Sequence, residues 1–178
     1  RWEQGDIGFI NAHIPGSNFG RNEILSGHGP TVIAYAVERE KQLSEWLDLS
    51  FEAFHHKRAI ILSFHADIFT LAGKPRPSCT AEKPDRCDGY KPIRKQLKSL
   101  VKHFNKPVLL VHGDTQDTCL QHVKTDEQLP VWRLNAAGDG IPDALLVSVS
   151  LDKLVPFYAE LIIRESGLPN RCYVNARL

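Results

Sequence analysis

The sequence predicts an α/β fold, a parallel β-α-β-α-β core followed by an antiparallel meander. Two short unbroken apolar runs, Ala59-Ile-Ile-Leu62 and Val108-Leu-Leu-Val111, read as strands buried on both faces of a sheet. Between such runs the apolar residues return at helical spacing. Beyond residue 130 the period becomes two, that of strands with one buried face.

Residues Ile7 to Ile14 are expected to form the first strand, which runs into Pro15-Gly-Ser-Asn-Phe-Gly20, where glycine and asparagine permit a sharp turn. Gly27-His-Gly-Pro30 prolongs the irregular stretch, and a helix begins near Thr31, whose hydroxyl can cap it. Leu43, Leu47, Phe51 and Phe54, with Trp46 and Ser50 beside them, lie on one stripe of that helix. Glu38, Glu40, Lys41, Glu45, Asp48 and Glu52 lie on the other, so its aromatic residues are core rather than a cofactor box. His55-His-Lys-Arg58 is a solvated junction before the second strand, which ends at the polar tip His65-Ala-Asp67. The loop from Thr70 to Asp88 is long for a compact domain. Ile93, Leu97, Leu100, Val101 and Phe104 mark a second helix over Tyr90 to Phe104, and the third strand follows at Val108. Two strand-helix-strand units in succession imply parallel pairing with right-handed connections.

Past Gln116, Pro130-Val-Trp-Arg-Leu-Asn135 is a strand candidate and Ala137-Gly-Asp-Gly-Ile-Pro142 is turn chemistry. Leu145, Val147, Val149 and Leu151 alternate with Leu146, Ser148 and Ser150, a half-buried strand. Phe157, Ala159, Leu161 and Ile163 alternate with more polar neighbours and read as a final strand, a short helix being the alternative, which gives the meander. There is no internal repeat or linker, so residues 1–178 are read as one domain.

Composition excludes some partners. With 22 basic and 21 acidic residues, nothing in the net charge of +1 attracts nucleic acid or an anionic membrane. No apolar run reaches the roughly 18 to 20 residues of a membrane span. The sequence has no methionine and begins Arg1-Trp-Glu3, so a preceding segment is expected, a removed signal peptide being one candidate. Cys79 and Cys87 flank a polar, proline-containing stretch that a disulfide could close, leaving Cys119 and Cys172 to pair. Four cysteines allow three connectivities, and the sequence does not choose among them. Disulfides imply a secreted protein or another oxidising compartment; four free thiols imply the cytoplasm. Zinc held by cysteine is disfavoured because no Cys-x-x-Cys pair exists.

If the strands are parallel, His13, His65 and His112 reach one edge of the sheet, with Asp67 and Asp114 nearby. Imidazole and carboxylate are ligands for divalent transition ions, and a paired-metal site clamps a phosphoryl group and activates water. Each histidine taken singly is also compatible with an ordinary core or loop position.

These segments, in this order, resemble the C-terminal part of a calcineurin-like metallophosphoesterase. The resemblance rests on Ala12-His-Ile-Pro-Gly-Ser-Asn18, the helix with Trp46-Leu47, and Ser63-Phe-His-Ala-Asp67. It continues through Lys106-Pro-Val-Leu-Leu-Val-His-Gly-Asp-Thr-Gln116, Val131-Trp-Arg-Leu-Asn135 and Leu145-Leu-Val-Ser-Val-Ser150. It implies half or more of a four-layer α/β/β/α sandwich and phosphate ester hydrolysis at a two-metal centre of Mn, Fe or Zn. His65 falls where the family has a metal-binding histidine. The family's late Gly-His-x-His corresponds to Gly113-Asp-Thr-Gln116, which makes Asp114 a ligand candidate and His112 and Asp114 catalytic candidates. Gln116, a neutral amide, is a weak ligand. The family's earlier Asp-x-His, Gly-Asp-x-x-Asp and Gly-Asn-His-Asp/Glu motifs have no counterpart, so the N-terminal part of the domain is expected to be missing here. Val108-Leu-Leu-Val-His-Gly113 also resembles the strand before the oxyanion loop of α/β-hydrolases. That class needs a Gly-x-Ser-x-Gly elbow, which the sequence lacks.

Two readings follow. One is a metal-dependent phosphoesterase acting on a phosphorylated small molecule, weak or inactive as this chain alone, and completed by the missing N-terminal segment or by another protein chain. The other is a pseudoenzyme, a structural or interaction module that keeps the fold.

Overall fold

The computed structural model describes residues 1–21, 29–70, 76–80, 87–115, 118–136, 144–163, 166–168, 172 and 176–178. The strands are β1 (Trp2–Gln4), β2 (Ile7–Asn11), β3 (Ala59–Ser63), β4 (Val108–His112), β5 (Cys119–His122), β6 (Val131–Asn135), β7 (Leu145–Val149), β8 (Phe157–Leu161) and β9 (Ser166–Gly167). The helices are α1 (Gly16–Phe19), α2 (Gly29–Ala53) and α3 (Lys91–Phe104).

The expected mixed α/β architecture is present. One sheet has the order β1-β2-β3-β4-β6-β5, with β2, β3, β4 and β6 parallel, and a second, antiparallel sheet has the order β7-β8-β9. Three details differ from the sequence expectation. The candidate strand at 130–135, β6, is the fourth parallel strand of the core and no part of the meander. β5, which alternation did not reveal, closes the far edge antiparallel to β6, and β1 forms a short hairpin with β2 at the near edge. The 55–58 junction is not wholly solvated, because Lys57 is buried and its Nζ donates to the Gly5 carbonyl at 2.9 Å. The turn at 137–142 lies outside the described residues, as do Gly27 and His28 and most of the 70–88 loop.

In-register parallel pairing aligns Ile10, Leu62, Leu110 and Arg133 in one row across the sheet. The three aliphatic members of that row pack against α2 and α3, which supply Leu43, Leu47, Phe51, Ile93, Leu97 and Val101. Their spacing of three or four residues puts each set on one helix face. The opposite face of the sheet, with Leu109, Trp132 and Leu134, packs on Phe157 and Ala159 of β8. Trp132 and Phe157 meet edge to face with centroids 5.4 Å apart. The layers are therefore helices, six-stranded sheet and three-stranded sheet. Both helices end with backbone groups needing partners; at α3 Asn105, in the left-handed conformation at φ 50°, returns its N–H to the Val101 carbonyl at 2.9 Å.

Among the described residues no helix is long and apolar enough to cross a membrane. Two disulfides, Cys79–Cys87 and Cys119–Cys172, account for all four cysteines, which resolves the open connectivity.

Candidate functional site

Parallel strands point the same way, so β2, β3, β4 and β6 end on one edge, and their following loops are laced together by backbone bonds. Ala66 N–H donates to the Ile14 carbonyl at 3.0 Å, Gly113 N–H to His65 at 3.0 Å, and Ala136 N–H to His112 at 2.7 Å. This lacing continues the ladder past the strand ends and fixes the height at which each loop side chain leaves the sheet.

Two side chains converge on the rim. His65, two residues past β3, brings Nε2 to 3.8 Å from Oδ1 of Asp114, two residues past β4. Both are open to solvent, His65 more so. Asp114 has φ 66°, a left-handed conformation that aspartate tolerates better than most residues. Its carboxylate lies against the turn after β2. A Cβ on Gly16 would sit 3.0 Å from Asp114 Oδ2, so glycine there lets the backbone come close to the acid. His13 is exposed on the same edge but is not paired with either residue.

That turn is backed from below. Ser17, Asn18, Phe19 and Gly20 all have positive φ, between 52° and 74°, a run that costs about 1–2 kcal/mol for each non-glycine residue. Asn18 holds it: its Nδ2 donates to the Cys87 carbonyl at 3.1 Å and its Oδ1 accepts from Gly89 N–H at 2.7 Å. A Cβ on Gly89 would fall 2.5 Å from the Asn18 carbonyl oxygen, so the approach requires glycine. Tyr90 donates its hydroxyl to the Pro15 carbonyl at 3.1 Å. Burial raises the phenol's pKa, with the negative charges of Asp114 and Asp67 acting in the same direction, so the donor keeps its proton.

Asp67 and His112, which the sequence places at the same edge, lie beneath it. Asp67 is buried, accepting from Phe69 N–H at 2.9 Å and from Arg133 Nη1 at 3.3 Å and 3.4 Å through its two oxygens. Arg133 is fully buried, with its guanidinium over the Phe69 ring. His112 is 1% exposed, stacked on Phe64 and tilted against Phe69. Its Nδ1 lies 3.1 Å from the Gly113 carbonyl, and its Nε2 has no hydrogen-bond partner among the described residues. His112, expected as a catalytic group at the rim, has its ring packed among aromatic side chains beneath it. Its place within β4 is the reason: the strand is covered on both faces, and residues 108, 110 and 112 share the face that packs toward the helices.

Burial lowers the His112 pKa below the ordinary 6.5, outweighing the opposing pull of Asp67. Above about pH 6.5 the imidazole is neutral folded or unfolded and contributes no pH dependence. As pH falls below that, the unfolded chain takes a proton that the folded chain refuses. Stability then drops by up to about 1.4 kcal/mol per pH unit until the lowered folded pKa is reached. His112→Leu removes this component. In urea unfolding at about pH 7.5 and about pH 5.5, the wild type is expected to lose more stability than the variant.

Arg133 and Asn135 are site residues that sequence reasoning did not single out. A charged residue at an inward position of an otherwise apolar strand was the available signal for Arg133. Asn135, also fully buried, donates its Nδ2 to Thr115 Oγ1, next to Asp114 in the chain.

For a metal, the chain offers the His65–Asp114 pair. Ligand atoms on a tetrahedral zinc lie about 3.3 Å apart, so 3.8 Å is close to what one ion could bridge. Such a site needs three or four ligands, and among the described residues no group of three His, Cys, Asp or Glu side chains could hold an ion. Gln116 lies outside the described residues. Comparison with models of protein families, with curated proteins and with solved structures finds no match to this chain.

Proposed function

We propose that this chain is a metallophosphoesterase-like domain that contributes to phosphate ester hydrolysis, with His65 and Asp114 as its part of a metal centre. The observation that supports this is the convergence of those two side chains at the carboxyl edge of a parallel sheet, on loops tied together by the His65–Gly113 backbone bond. The resemblance of the sequence segments to calcineurin-like metallophosphoesterases adds to it. A divalent ion, when bound, polarises a phosphoryl oxygen and lowers the pKa of a coordinated water. The chain's own residues hold and orient: His65 offers Nε2, Asp114 offers a carboxylate for which Gly16 leaves room, and Tyr90 braces the turn carrying that glycine. Two donors do not complete a site, so the remaining ligands would come from residues outside this set or from another chain. The substrate class is a phosphorylated small molecule.

The test is metal content of the purified protein together with hydrolysis of a chromogenic phosphodiester in the presence of manganese. Stoichiometric Mn, Fe or Zn, with affinity and turnover lowered at least tenfold in His65→Ala, is the expected result. Metal-free protein without turnover favours the second reading, a non-catalytic structural or interaction module. The absence of a three-donor group among the described residues is what recommends that reading. In either case the two disulfides support residence in an oxidising compartment, secreted or otherwise.

A further inference from the structure

We infer that β6 is the positioning strand of the rim, holding the His65 turn through Arg133 and the Asp114 turn through Asn135. Side chains two apart on a strand leave the same face, so these two residues rise side by side from β6 toward the two loops that carry the rim donors. Arg133 Nη1 holds Asp67, and the same Asp67 carboxylate caps Phe69 N–H, so the turn after His65 is fixed from both sides. Asn135 Nδ2 holds the hydroxyl of Thr115, the residue after Asp114. The backbone bond from Gly113 N–H to the His65 carbonyl joins the two turns between these anchors. Arg133 and Asn135 reach the two rim loops through Asp67 and Thr115. Each acts through another residue, as the outer partners of metal ligands do. Both are buried where a strand core calls for aliphatic side chains, and the cost of burying them is offset by the bonds they make to these loops.

The metal arm of this inference rests on the proposed role of His65 and Asp114; the positioning arm does not. Zinc chloride is titrated calorimetrically into the full chain as wild type, Asn135→Ala, Asp114→Asn and the double variant. Where the wild type binds zinc, Asn135→Ala is expected to weaken that binding about 10- to 100-fold and to add nothing once Asp114 is replaced. A residue that merely supports the fold would weaken both backgrounds alike, and that result would overturn the inference. Thr115→Val removes the other half of the same bond and is expected to reproduce the Asn135→Ala effect.

Native-state amide exchange without metal reads the positioning arm on its own. The Gly113 amide is expected to exchange at least tenfold faster in Asn135→Ala and in Thr115→Val, while the amides of Leu109 and Leu110 in β4 keep their relative protection. An unchanged Gly113 amide overturns the inference whatever zinc does. A wild type that binds no zinc, with Gly113 loosened in the variants, defeats the metal reading and leaves β6 as the device that shapes this edge.

Discussion

Asp67→Ala is expected to lower the stability of the folded chain by about 3–5 kcal/mol, the usual cost of leaving one member of a buried ion pair without its partner. Arg133 has no exposure to solvent, so its guanidinium cannot turn to water when the carboxylate is removed. Phe69 N–H loses its acceptor in the same substitution. The contacts from Arg133 Nη1 to the two Asp67 oxygens, at 3.3 and 3.4 Å, are longer than those of an optimal charged fork. The intact pair therefore contributes modestly, and most of the loss comes from the charge left behind. This distinction is measurable. Asp67→Leu combined with Arg133→Met removes both charges and is expected to be clearly more stable than Asp67→Ala alone. Urea unfolding supplies the comparison, through a shift of midpoint at unchanged slope. A double variant no better than the single would mean that the pair itself, and not the stranded charge, carries the energy.

The same residues mark where the sequence could be read and where it could not. Val108 to Val111 announced β4 because an unbroken apolar run bounded by proline and glycine fits a doubly buried strand. Ile93, Leu97, Val101 and Phe104 announced α3 because their spacing leaves one buried face. These are local patterns, set by the period of the backbone. The place of β6 is not local. It lies beside β4 with β5 outside it, although β5 comes between them in the chain, and nothing in the alternation of Val131 to Asn135 specifies a neighbour. At the edge, residue type suggested that all three histidines would face the rim, whereas position relative to the strand end decides which do. His65 lies two residues past its strand and reaches solvent; His112 is still within β4, on the inward side with Leu110. The pairing of His65 with Asp114 was legible as proximity along one edge, but the Asp67–Arg133 contact joins residues 66 apart in sequence and had no local signature.

Removing the Cys119–Cys172 disulfide is expected to cost about 4 kcal/mol, against about 2.5 kcal/mol for Cys79–Cys87, on the chain-entropy account in which the cost grows with the loop closed. The separations are 53 and 8 residues. Local contacts widen the difference. Cys119 opens β5 opposite Asn135 on β6, and Cys172 N–H donates to Gln121 Oε1 at 3.0 Å, so this bridge ties the end of the chain to the outermost strand of the six-stranded sheet. Without it, β5 relies more on its four-residue ladder with β6. Cys87, by contrast, is held through its backbone as well, because its carbonyl accepts from Asn18, and Gly89, two residues on, donates back to the same side chain. Paired alanine variants separate the two effects: Cys119→Ala with Cys172→Ala, and Cys79→Ala with Cys87→Ala. In thermal melts of a chain this size, 1 kcal/mol moves the midpoint by about 2–4 °C, so the first pair is expected to melt roughly 8–16 °C below the parent and the second about 5–10 °C below. A larger drop from the Cys79–Cys87 pair would show that the short loop, through Asn18 and the left-handed turn it supports, carries more of the fold than its length allows.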